Sequence, residues 1–153
     1  MKYTHEYWMK FALEEAKKAM LIDEIPVAAI AVKNDELVFS AHNLTRQQQN
    51  PLAHAEKLVI DELLKKEKYL YNYTLYITLE PCMMCAGSII LSRVGTVVFG
   101  AKDMKSGACG SIYNVLKDQR FNHQPNLITG ILHKECADIL RVFFEQKRNN
   151  TKL

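Results

Sequence analysis

Thr74-Leu75-Tyr76-Ile77-Thr78-Leu79-Glu80-Pro81-Cys82-Met83-Met84-Cys85-Ala86-Gly87-Ser88-Ile89-Ile90-Leu91-Ser92 is the run whose reading decides the fold. Its first six residues are β-branched, aromatic or leucine, a composition that packs well on a pleated surface and predicts a strand over 74–79. Pro81 cannot donate to a β-ladder and is favoured where a helix opens, so the strand stops there and a helix is expected from about Cys82 to Ser92. A strand that feeds directly into a helix is half of an α/β unit. Val94 to Gly100 supplies the next strand.

The flanking sequence extends the same architecture. Apolar residues at Trp8, Phe11, Ala12, Ala16, Ala19 and Met20 are interleaved with Glu14, Glu15, Lys17 and Lys18, which predicts a helix over 4–21. Ile25 to Val32 and Glu36 to Ala41 read as a hairpin turned at Lys33-Asn34-Asp35. Ala53 to about Lys68 reads as a second helix, introduced by Pro51. After Gly100 a glycine-bearing loop runs through Gly110, and Leu127 to Leu132 is a fifth strand. A last helix starts near Lys134, with Cys136, Ile139, Leu140, Phe143 and Phe144 at three- and four-residue spacing. The expectation is one α/β domain over 1–153 with a mixed five-stranded sheet, its later strands joined by helical crossovers and therefore parallel.

Composition narrows the functional classes. The chain is 48% hydrophobic and 24% charged, within the range of ordinary globular proteins. No segment reaches the roughly 20 apolar residues needed to span a bilayer, and the first residues lack the pattern of an export signal. A cytoplasmic location is expected, with no membrane partner. Net charge is +3, and the whole excess falls after residue 116. So small an excess is also what a solvated face carries, and it does not define a polyanion site alone.

The cysteines at 82, 85, 109 and 136 include one Cys-x-x-Cys pair in a chain with no export signal, which favours metal or redox chemistry over disulfides. Cys82 and Cys85 are three residues apart at a helix start, so both sulfurs can reach one ion, and the helix end favours their thiolate form. Upstream, His54-Ala55-Glu56 adds an imidazole and a carboxylate. Three protein donors leave a fourth coordination position open to water, whose pKa zinc lowers to about 7. Glu56 would then carry protons. Two alternatives remain at this level: a redox dithiol, or a closed structural zinc site completed by Cys109 or Cys136. Cys136 lies on the apolar stripe of the last helix and Cys109 in a Gly-rich loop. Neither is assigned to the metal.

His54-x-Glu56 followed by Pro81-Cys82-x-x-Cys85 matches the signature of zinc nucleobase deaminases. From about Ile25 to Arg148 the chain further resembles the bacterial TadA-type tRNA adenosine deaminases. The likeness is carried by Pro51-x-Ala53-His54-Ala55-Glu56, Thr78 to Gly87, Ser92-Arg93-Val94, Val98-Phe99-Gly100-Ala101-Lys102-Asp103-x-Lys105-x-Gly107-Ala108, and Asn122-His123. Where the family pattern has Pro-Val-Gly-Ala, this chain has Pro26-Val27-Ala28-Ala29.

The resemblance implies a three-layer α/β/α cytidine-deaminase-like sandwich and hydrolytic deamination of the wobble adenosine to inosine in a tRNA anticodon loop. It implies one zinc ion per subunit on His54, Cys82 and Cys85, with Glu56 as the catalytic acid and base, and a homodimer whose contact includes the Met83-Met84 region. By the same resemblance Asn43 hydrogen-bonds the flipped-out base, Ile25 and Ala53 wall its pocket, and Asp103 lies near the target ribose. Lys105, Phe144 and Arg148 clasp the anticodon stem-loop. Each has a plainer reading: a turn asparagine, core residues, a loop aspartate, a packing phenylalanine. The zinc motif itself is shared with deaminases of free bases such as guanine or cytosine, so it identifies the reaction and not the substrate. A non-catalytic RNA-binding subunit with structural zinc is the third possibility, against which Glu56 argues, because a structural site needs no acid beside it.

Overall fold

A computed structural model describes residues 2–151. Among these, five strands form one sheet in the order β2-β1-β3-β4-β5. The strands are β1 (Ala28–Lys33), β2 (Glu36–His42), β3 (Thr74–Leu79), β4 (Thr96–Ala101) and β5 (Asn126–Thr129). β1 is antiparallel to both β2 and β3, whereas β3, β4 and β5 run parallel, so the sheet is mixed as expected.

The two faces of the sheet separate by residue parity. Ala29, Ala31, Leu75, Ile77, Val97 and Phe99 face α2 (Ala55–Leu63) and α3 (Met83–Ser92), packing with Val59, Ile60, Leu63, Ala86 and Ile89. Ile30, Val32, Tyr76 and Val98 face the other way. They meet Trp8, Met9, Ala12 and Leu13 of α1 (His5–Leu21) and Cys136 of α4 (His133–Thr151). Helices on both sides explain why the central strands read as nearly unbroken apolar runs. Burying each Ile, Leu, Val or Phe side chain contributes about 1.5–3 kcal/mol, and both layers draw on this. Ala28, at the position where the family pattern has glycine, is fully buried and donates its N–H to the Thr78 hydroxyl (3.0 Å), so the added methyl is accommodated.

Several boundaries differ from the sequence expectation. α2 spans 9 residues and starts at Ala55. α3 starts at Met83, with Cys82 as its N-cap, and β1 begins only at Ala28. The larger difference concerns the crossovers. β3 reaches β4 through α3, but β4 reaches β5 through residues 102–125, an extended loop whose helical content among the described residues is the short 3₁₀ turn Val115–Lys117. β4 and β5 are parallel all the same. Gly100 is small for a reason: a Cβ there would lie 2.4 Å from the Cys136 sulfur, so helix and strand approach closely.

Candidate active site

The pocket forms where strand ends converge, as ligand crevices do at the carboxyl ends of parallel strands. β3 and β4 end together at Leu79 and Ala101. Since β1 is antiparallel to β3, its entry at Ile25 to Val27 arrives at the same edge. The exit of β2 then brings in Asn43. The resulting hollow, about 210 Å³, is lined by Ile25, Val27, Asn43, His54, Glu56, Leu79, Glu80, Cys82, Asp103 and Ser106.

His54 and Cys82 are the N-caps of α2 and α3, each with extended backbone, so two helix starts with their positive dipole ends meet at this point. His54 Nδ1 lies 3.5 Å from the Cys82 sulfur and 3.6 Å from the Cys85 sulfur. All three donor atoms fall within 4.8 Å of one another, and among the described residues this is the group that could hold a metal ion. A tetrahedral zinc ion about 2.3 Å from sulfur and about 2.1 Å from nitrogen sets its donors about 3.6 Å apart, so the spacing fits. Cys109 and Cys136 are outside the group. The Cys109 thiol instead points at the Pro81 carbonyl oxygen, 3.8 Å away.

The electrostatics suit the same chemistry. A hydrogen bond from the Cys85 thiol, aided by His54, pulls the Cys82 thiol down to about 4, while the same bond and burial push Cys85 up. Cys82 thus favours its thiolate form and Cys85 its thiol. Glu56, in the first turn of α2, is buried, and desolvation pushes its carboxyl up to about 7 despite the neighbouring His54. A carboxyl poised there both accepts and donates protons at neutral pH.

Asn43 does more than turn the chain. Its Oδ1 accepts the Ala55 N–H (2.8 Å), capping α2 from twelve residues away and fixing the helix start that carries His54. Ile25 lines the pocket, whereas Ala53 is buried but does not line it. A second hollow of about 440 Å³ adjoins the first through Ile25, Leu79, Asp103 and Ser106, and adds Lys102, Met104, Lys105, Leu140 and Phe144. Phe143 is buried in the core and Phe144 is 43% exposed, which decides which ring faces solvent. Arg148 is exposed near the end of α4 and lines neither hollow. His123 bonds the Val94 carbonyl oxygen (2.6 Å), and Arg93 donates to the Asn122 carbonyl oxygen (3.2 Å), so these family-like residues brace each other. A roomier hollow of about 480 Å³ between α1 and α4, with Leu13, Met20, Ile139 and Val142, holds none of the candidate donors and carries no chemistry by size alone.

Two buried acids escaped the sequence reading. Glu24 accepts the Ile25 N–H (3.2 Å), the Thr45 hydroxyl (3.1 Å) and the N–H groups of Arg46 and Gln47 (3.0 Å each), tying the loop after β2 to the entry of β1. Glu80 does the equivalent for the loop after β4. Its one sequence signal was its place directly before Pro81.

A family model for the cytidine and deoxycytidylate deaminase zinc-binding region matches residues 2–101. The chain is 48% identical over 149 residues to the tRNA-specific adenosine deaminase of Bacillus subtilis (strain 168), covering 96% of this chain and 92% of that relative. It is 42% identical to the protein of the same name from Aquifex aeolicus (strain VF5), covering 95% and 97%. A solved structure from a study of A-to-I editing by tRNA:A34 deaminases superposes with a TM-score of 0.83 at 34% identity, covering 88% of this chain and 99% of that one. Guanine deaminase from Nitrosomonas europaea shares the fold, with a TM-score of 0.78 at 23% identity over 90% of this chain and 83% of that one.

Proposed function

The chain belongs to the cytidine and deoxycytidylate deaminase family and, within it, to the tRNA-specific adenosine deaminases, and from that premise we propose that it hydrolyses the wobble adenosine of a tRNA anticodon loop to inosine. The observation that carries the reading is a buried proton carrier, Glu56, sharing one pocket with the His54, Cys82 and Cys85 donor set. His54 Nδ1 and the Cys82 and Cys85 sulfurs would hold one zinc ion per chain. When bound it supplies a Lewis acid that activates water at neutral pH.

The chain's own residues do the rest. Glu56 takes a proton from the attacking water and delivers it to the ring nitrogen beside the amino-bearing carbon. It then passes the water's second proton to the departing ammonia, leaving a carbonyl. Asn43, already fixed by its bond to Ala55, has an NH₂ group to offer the base, and Ile25 and Val27 form an apolar wall. Asp103 lines the pocket beside them, where its carboxylate meets the target ribose. In the adjoining hollow Lys105 and Phe144 receive the flanking nucleotides, with Arg148 further along α4 for phosphate. A single-stranded loop suits this arrangement, because its base swings into a pocket at modest unstacking cost. The substrate is met in the cytoplasm. Among the described residues no helix is long and apolar enough to cross a membrane.

Incubating the zinc-loaded protein with tRNA and, separately, with guanine, cytosine and adenosine tests the reading. Inosine at the wobble position is expected; ammonia from free bases with unaltered tRNA would overturn it. The outer side of α3 exposes Met83 (48%) and Leu91 (79%), apolar surface suited to a second copy. Light scattering is expected to return the mass of two chains, and a monomer mass counts against that pairing.

A further inference from the structure

The loop from 102 to 125 carries Asp103 and Lys105, and one buried carboxylate gathers its first half. Glu80 is 3% exposed. Its Oε1 accepts the Asp103 N–H (3.2 Å) and the Ser111 hydroxyl (2.5 Å). Its Oε2 accepts the N–H groups of Cys109 (3.1 Å) and Ser111 (3.0 Å). All four donors are uncharged, so loop dipoles balance a charge that burial would otherwise penalise. The fit is close: a Cβ at Gly107 would stand 2.1 Å from Oε2, so glycine lets the loop pass. Neighbouring bonds continue the lacing, with the Ala108 N–H on the Pro81 carbonyl oxygen (2.9 Å) and a bridge between Gly107 and Cys82. Asp103 Oδ1 in turn accepts the N–H groups of Lys105 and Ser106 (3.1 Å each).

We propose that Glu80 is a positioning residue for substrate capture: through the Asp103 N–H it holds the Asp103 carboxylate at the pocket that also contains Glu56. The inference rests on the functional reading above, in which Asp103 meets the substrate. Loss of this bond loosens the loop where RNA is gripped and leaves the donor set and Glu56, which are anchored on α2 and α3, in place.

Glu80→Gln singles out that bond. With the new nitrogen on the Ser111 hydroxyl side, the hydroxyl rotates to accept, and the Asp103 N–H alone loses its acceptor. The opposite flip would set the nitrogen against two N–H donors. With an anticodon stem-loop RNA as substrate and inosine as readout, Glu80→Gln is expected to raise KM about tenfold, with kcat within about threefold and zinc content unchanged. Ser111→Ala removes a bond to the same carboxylate without touching Asp103 and is expected to keep KM within about threefold. In an Asp103→Ala background, Glu80→Gln should raise KM no further, the non-additivity expected of residues acting through one another. An unchanged KM in Glu80→Gln overturns the proposal, as does full additivity with Asp103→Ala, or a fall in kcat accompanied by zinc loss. The unsubstituted protein, run alongside, separates the two levels. If it forms no inosine, the functional reading and the positioning role fall together; if it does and KM does not move in Glu80→Gln, the positioning role alone falls.

Discussion

Glu56→Gln is expected to lower inosine formation by about 10³-fold or more while leaving zinc content and thermal stability close to those of the unsubstituted chain. General acid–base groups contribute about 10²–10⁴-fold each, and here a single carboxyl serves several proton transfers, which places the loss toward the upper end. Gln keeps the volume and a hydrogen-bonding end, so the first turn of α2 and its cap from Asn43 persist. It cannot accept and release a proton near neutrality, the capacity that burial gives Glu56. The measurements are single-turnover inosine formation together with metal analysis of the same sample. Turnover within tenfold of the unsubstituted protein would remove Glu56 from the mechanism.

Cys85→Ala should act at an earlier stage and abolish activity by abolishing the ion. The Cys85 sulfur is buried and 3.6 Å from His54 Nδ1, so its removal leaves a two-donor site that lacks one corner of the tetrahedron. Zinc content after dialysis is expected to fall to background. Thermal stability should drop as well, since an ion that binds only the folded chain stabilises it by mass action. The two variants are distinguished by metal content: Glu56→Gln is slow with its zinc retained, whereas Cys85→Ala is inactive because its zinc is lost. A Cys85→Ala protein that retains stoichiometric zinc would show that the donor set is drawn wrongly.

Legibility in the sequence followed how local the determining interaction is. The strand, proline and helix of Thr74 to Ser92 are specified by adjacent residues, and the structure follows them to within a residue. The start of α2 did not follow, because the acceptor that caps it is Asn43, on another strand's exit. The glycines marked the loop after β4 as far as Gly110, but the lack of a helical crossover between β4 and β5 was not legible, since Glu80 organises that loop from more than twenty residues upstream. Phe143 and Phe144 both fit the apolar stripe of α4, and only the packing of that helix on the sheet separates them. The donor residues and Glu56 were visible as a spacing. Glu24 and Glu80 were not, because a buried acid held by loop amides is spelled in sequence like any surface acid.

The order of the sheet has a consequence for how activity arises in time. β1 pairs with β3 across more than forty intervening residues, Val32 opposite Thr74, and the pocket draws its wall from five separate stretches between Ile25 and Ser106. Such non-local pairing is slow to nucleate, because chain closure precedes the contacts that reward it. A nascent chain that has already made α1 and the β1–β2 hairpin, through His42 of 153 residues, therefore owns little more than a quarter of its length and none of its chemistry. Catalytic competence is a late, all-or-none property of the assembled sheet, and enzymatic activity doubles as a stringent reporter of complete folding.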